Sequence, residues 1–146
     1  MTLPVFLSNR YFLLAARFVL GMVFIAAAVP KIAGPEAFAV SIEAYELLPV
    51  FAVNAAAIVM PWIELICGLF LIAGVHTRPS AALLGALLAF FIVAISVAVL
   101  RGLNINCGCF GGADDSPVGW GKVLEDVVLL VPAWVILRSG AEAAPE

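Results

Sequence analysis

The chain has 146 residues, 65% of them hydrophobic and 12% charged, with a formal net charge of −3. A soluble domain carries roughly 45–50% apolar and about 25% charged residues, so this composition excludes a water-soluble globule, which would expose large apolar patches. No basic run points to nucleic acid, and the length suits one membrane domain with no separate soluble module.

A membrane-crossing helix needs about 20 mostly apolar residues, and four stretches qualify. The first, 11–29, carries Arg17 and is expected to close at Pro30. Its internal Arg17 and the apolar start "MTLPVFL" favour a retained span over a cleaved signal peptide. In the following loop, Phe38, Ile42, Tyr45 and Leu48 recur at spacings of 3 and 4, which predicts a short amphipathic helix at the membrane surface or capping the bundle. The second span, 50–73, carries Glu64 and Cys67. The third, 81–100, has no charge. The fourth, 120–137, begins with Lys122, Glu125 and Asp126. The tail 139–146 is expected to be disordered. The expected fold is therefore an all-α integral membrane four-helix bundle with one extra short helix in the first loop.

Four spans place both termini on one side. Arg10, Arg78 and Arg138, with Arg17 nearby, face Lys31, Arg101 and Lys122 across the membrane. That slight bias favours cytoplasmic termini and sets the first and third loops outside, where disulfides persist.

The third loop holds "NINCGCFGG", residues 104–112, with Cys107 and Cys109 on either side of Gly108. Three readings are open. A Cys-x-Cys disulfide closes a very small ring at a compromise in geometry, and strained, exposed disulfides are the exchanging ones. As a structural staple the pair is poor, because stabilisation grows with loop length. A zinc site needs more ligands; the single His76 falls on the opposite side and Cys67 lies within a helix, so no metal is assigned. Redox exchange is preferred, with Cys67 read as a small buried residue, or as a resolving thiol if its helix end nears the loop. His76 is read as a solvated loop residue.

Ionisable groups inside spans are costly, face the interior and read as functional with a named partner. Arg17 and Glu64 are expected at similar depth and form the favoured ion pair. Lys122, Glu125 and Asp126 share one face of the fourth helix, under the cysteine loop and within reach of Lys31. There a cation would lower a thiol pKa and an acid would shuttle protons.

Arg17, Gly21, Phe24 and Lys31 lead an ordered series that continues with Phe38, Ile42, Tyr45, Leu47, Leu48 and Pro49. Glu64, Leu65, Gly68, Leu69, Leu71 and Gly74 follow, and Cys107 to Gly111 close it. In order and spacing this resembles the MauE branch of the DoxX-like membrane proteins over about residues 11–130. The resemblance implies a four-helix bacterial inner-membrane protein of redox chemistry, acting with a thioredoxin-like partner in maturing a disulfide-rich exported protein of methylamine utilisation. It implies Cys107 and Cys109 as the redox pair, and Lys31, Glu64 and Arg17 as intramembrane polar positions. The chain departs from it at Glu125, where a basic residue is expected. Electrons could leave through a quinone between the helices, although no quinone signature is present. A homo-oligomer is admitted. The other functions in view are a non-enzymatic anchor or assembly subunit and a small oligomeric transporter.

Overall fold

The computed structural model describes residues 9–108 and 117–139. It is all-helical, with α1 over Arg10–Ala33, α2 over Pro35–Ala44, α3 over Val50–Ala73, α4 over Thr77–Leu100 and α5 over Trp120–Ser139. Three of these, α1, α3 and α4, are long and apolar enough to cross a membrane. The fourth expected span is a 20-residue helix, but Lys122, Glu125 and Asp126 near its start make it more polar than the other three. Large apolar side chains such as Phe18, Ile58, Val93 and Val128 point outward, which in water would be a liability and in lipid is required.

The helix ends are set locally. Asn9 caps α1, its side-chain oxygen accepting from the Tyr11 N–H at 3.1 Å. Gly74 ends α3 in the left-handed region at φ 80. Contrary to expectation, α1 does not close at Pro30 but runs on to Ala33, where Gly34 N–H donates to the Pro30 carbonyl. Proline forfeits one backbone hydrogen bond, and in a packed apolar helix its neighbours absorb that loss. The extra turn places Lys31 on the inner face of α1, where it is buried.

Helix α1 packs along α3 and α4 along α5, with α3–α4 and α1–α5 contacts between these pairs. The α1–α3 seam is antiparallel, and Gly21 and Gly68 face each other across it. A methyl group at Gly21 would lie 2.8 Å from the Gly68 carbonyl oxygen, and one at Gly68 would lie 2.9 Å from that of Gly21. Small residues allow helix backbones this contact in lipid. One core cluster joins Leu20, Phe24, Cys67, Leu71, Leu84 and Ile136. A second lies at the other end of α4, where Tyr45, Ala94, Ile95, Ala98 and Cys107 pack together.

The predicted loop helix exists as α2, with Phe38 buried and Val40 facing out. It sits at the same end of the molecule as the end of α4, the cysteine loop and the start of α5, as its contacts with that loop show.

Candidate functional site at the cysteine-loop end

The described ends of the loop after α4, residues 101–108 and 117–119, are held by hydrogen bonds. Val118 N–H donates to the Ile105 carbonyl at 2.9 Å, and Asn106 bridges Pro117 antiparallel. The buried Tyr45 hydroxyl donates to the Cys107 carbonyl at 2.6 Å. Gly108 adopts φ +72, and a Cβ there would meet Ser41 Cβ of α2 at 2.8 Å; only glycine combines that conformation with that proximity. At the loop's entry Arg101 donates to the Tyr45 carbonyl at 3.4 Å and to Glu46 Oε2 at 3.1 Å. Side-chain hydrogen bonds thus tie the segment just after α2 to the start of the cysteine loop.

Cys107 is 1% exposed and disulfide-bonded, whereas Cys67 is a buried free thiol. Cys109 lies outside the described residues. The exposed position expected for the pair does not hold at Cys107, because Tyr45 and the last turns of α4 cover it. Cys67 is no resolving thiol for it: Cys67 interacts with the Ser80 hydroxyl, whereas Cys107 packs by Ala94, about 21 Å further along α4 at 1.5 Å per residue.

Beneath the loop lies the buried charge. Lys31 Nζ donates to Glu64 Oε1 at 3.0 Å and to Oε2 at 3.1 Å, and both side chains are 1% exposed. The ammonium also lies over the rings of Phe38, at 4.8 Å, and Phe91, at 5.4 Å, contacts that favour a desolvated cation. The expected Arg17–Glu64 pair is corrected here. Arg17 Nε instead donates to the Leu71 carbonyl at 3.0 Å, satisfying a C-terminal carbonyl of α3. Direction explains the choice. Side chains lean toward their helix's N-terminus, so in this antiparallel pair Lys31 and Glu64 lean toward each other, while Arg17 and Glu64 lean apart.

Lys31, Glu64, Glu125 and Asp126 all border one cavity of about 80 Å³, with Phe24, Leu88 and Phe91 among its walls. Asp126 is buried, and its Oδ2 has no hydrogen-bond partner among the described residues. Lys122 pairs with Glu125 Oε2 at 3.2 Å on the exposed side of α5. Within the expected outer group, Lys122 thus pairs with Glu125 near the surface, while Asp126 is buried beside the cavity that Lys31 also borders. His76 is exposed and sits against the Phe70 ring at 5.8 Å.

Burial pushes the Tyr45 phenol up to about 12, with the Asp126 charge adding to the effect. Tyr45 is thus a neutral donor at any ordinary pH. The sequence marks Tyr45 as one member of an apolar face and of the family-like series, with no sign of this hydrogen bond. Its role depends on a residue 62 positions away, which no local pattern encodes.

Two spaces in the fold bear on a quinone. The cavity beside Lys31 has polar groups suited to a quinone oxygen but, at about 80 Å³, room for a few waters rather than a substituted ring. The groove between α4 and α5, about 760 Å³ and lined by residues such as Ala81, Gly85, Leu130 and Trp134, has the volume without a cluster of polar groups. Neither space fits a quinone. Among the described residues no group of three or more His, Cys, Asp or Glu is placed to hold a metal.

A family model described as "Methylamine utilisation protein MauE" matches residues 9–139. The chain belongs to the MauE family. The MauE protein of Paracoccus denitrificans is 34% identical over 141 residues, covering 96% of this chain and 76% of that relative. The MauE protein of Paracoccus versutus is 37% identical over 120 residues, 82% of this chain and 64% of that relative. That of Methylophilus methylotrophus is 38% identical over 89 residues, 60% of this chain and 47% of that relative. The chain thus spans about three-quarters of the first relative and less than two thirds of the other two. No solved structure matches the chain. It is thus a MauE-family membrane protein with three helices, among the described residues, long and apolar enough to cross a membrane.

Proposed function

We propose that this MauE-family chain is a thiol–disulfide exchange protein of the bacterial inner membrane. In this reading α1, α3, α4 and α5 form a four-span bundle with both termini cytoplasmic and the cysteine loop outside. Cys107 and Cys109 form the redox pair and exchange with an extracytoplasmic thioredoxin-like protein, supporting disulfide formation in exported proteins. The methylamine-utilisation names of its relatives support methylamine utilisation as the setting of that service.

The observation that carries this reading is the disulfide at Cys107, in a loop held by Tyr45 directly above buried ionisable side chains. Exchange balances without a further oxidant. A partner thiolate attacks one sulfur, the Cys107–Cys109 bond breaks and a mixed disulfide forms. The partner's second thiolate then closes its own disulfide, leaving this chain as the dithiol; two electrons and two protons have moved. The reverse sequence with another partner restores the disulfide. Asp126, buried beside a cavity with room for water, is suited to hand protons to or from the thiols. Lys31 and Glu64 set the charge of that cavity, and Lys122 with Glu125 screens its outer rim.

The test is replacement of both cysteines, Cys107→Ser with Cys109→Ser, in a host lacking the chromosomal copy. The expected result is normal membrane insertion with the client left reduced and growth on methylamine lost. A variant that still supports client oxidation would favour the anchor or assembly reading instead.

A further inference from the structure

We infer that the groove between α4 and α5 is a binding site for one anionic phospholipid, with an acyl chain lying along the groove and the phosphate held between Arg78 and Arg138. Along α4 its floor is small, built from Ala82, Gly85 and Ala86, and along α5 its wall is large, with Val131 and Trp134. No lining residue carries a charge, and the groove holds about 760 Å³, within the range of roughly 300–1,000 Å³ for sites that take a ligand. It follows α5 from Val127 to Leu137, about 15 Å at 1.5 Å per residue. That is half of a hydrocarbon core about 30 Å thick. The groove therefore has the depth of one leaflet, the reach of one acyl chain from headgroup to midplane.

Charge lies at one mouth of this groove. A Cβ at Gly85 would meet Ala133 Cβ at 3.8 Å, and Leu88 and Leu129 share the cavity beside Lys31, so the two helices run antiparallel. Arg78 stands seven residues before Gly85 and Arg138 five after Ala133, which brings them within about 3 Å of one depth. Both are exposed. Arg78 shares a helix face with Ala81 and Ala82, three and four positions on. The Arg138 guanidinium lies over the ring of Trp134 at 5.5 Å, so it too stands on the groove side. Among the described residues, no acidic side chain lies in α4 or beyond Asp126 in α5. Two guanidinium forks across the end of an apolar groove match a phosphodiester. A second copy of the chain fits worse, because a two-fold contact through the groove would set these arginines against their own counterparts.

The test uses the full chain reconstituted in phosphatidylcholine vesicles, with Trp62→Phe and Trp120→Phe leaving Trp134 as the only tryptophan. Phosphatidylglycerol with brominated acyl chains, which quench a tryptophan they touch, is titrated in and compared with brominated phosphatidylcholine. Relative association at Trp134 is expected to favour phosphatidylglycerol by roughly tenfold or more, each arginine near a membrane surface contributing about fivefold. Arg78→Gln with Arg138→Gln is expected to bring the ratio to about one. Gly85→Leu, which fills the floor, is expected to lower quenching by both lipids, with helicity matched by circular dichroism. A chain keeping only Trp62, on α3, is expected to show no preference and reads general enrichment of anionic lipid around the protein. Equal quenching of Trp134 by the two lipids, a preference that survives loss of both arginines, or the same preference at Trp62 overturns the inference. Trp134 shielded from both lipids, with a cross-linked dimer in the same vesicles, overturns it in favour of contact between copies.

Discussion

Lys31 and Glu64 form a two-pronged ion pair, Nζ standing 3.0 and 3.1 Å from the two carboxylate oxygens with neither side chain reaching solvent. The pair joins the last turn of α1 to the middle of α3, at the end of the seam that Gly21 and Gly68 bring together. Breaking a buried pair from one side strands a charge, at a cost of about 3–5 kcal/mol, whereas replacing both partners by apolar residues of similar volume is often neutral. Lys31→Met alone and Glu64→Leu alone are therefore expected to lower the thermal midpoint strongly, and the double replacement to recover most of the loss. A double-mutant cycle by thermal or denaturant unfolding in micelles checks this. Additive losses would show that the two side chains do not act as a pair.

The glycine seam makes a different demand. Alanine at Gly21 or Gly68 would place a methyl group within 3 Å of a facing carbonyl oxygen, and overpacking of this kind costs roughly 1–3 kcal/mol. Gly85 supplies the contrast, since a Cβ there meets only Ala133 Cβ at 3.8 Å. Gly85→Ala is expected to be neutral or to stabilise by about 0.5–1 kcal/mol through helix propensity. Unfolding midpoints for the three variants should separate into these two classes.

Asp126 separates folding from chemistry. Its Oδ2 is buried with no hydrogen-bond partner among the described residues, so Asp126→Asn relieves the burial of a carboxylate at the loss of its attraction to Lys122 and Lys31, and is expected to change stability little. If Asp126 moves protons for the thiols, the same variant slows exchange by roughly tenfold or more. Parallel measurement of the unfolding midpoint and of exchange kinetics checks both halves. A variant that loses stability while keeping its rate would make Asp126 structural.

Alkaline titration reads the Tyr45 latch directly. The chain has two tyrosines, so Tyr11→Phe leaves Tyr45 as the only phenol, expected to ionise near pH 12 rather than 10. The raised value means that the folded state holds the proton more tightly than the unfolded one. The resulting stability is whole below pH 10 and is lost as pH rises toward 12. A phenolate absorbance midpoint near 10 in the folded protein would place the hydroxyl in solvent and contradict the hydrogen bond to Cys107.

What the sequence discloses follows the range of the forces involved. Hydropathy alone marks 50–73 as a span, and the helix occupies those residues. The short helix in the first loop follows from the spacing of Phe38 and Ile42. Pro30 misleads because its local cost is outweighed by packing that only the fold supplies. Whether Arg17 or Lys31 meets Glu64 depends on helix direction and on the register set at Gly21 and Gly68, two residues that carry no charge. Tyr45 is hidden for a similar reason, since its partner is a backbone carbonyl across the fold. The cysteine motif stands out in the sequence, but the burial of Cys107 comes from Tyr45 and the last turns of α4 packing over it.

The most direct test of exchange at this site is a redox titration of the native chain in glutathione buffers, with alkylation read by mass for each cysteine. Cys107 and Cys109 are expected to convert together between dithiol and disulfide, at a midpoint between roughly −100 and −300 mV, the span of working exchange proteins. Cys67 is expected to remain a thiol throughout. A pair that stays fully oxidised or fully reduced across that whole range, or a Cys67 that titrates with Cys107, would contradict it.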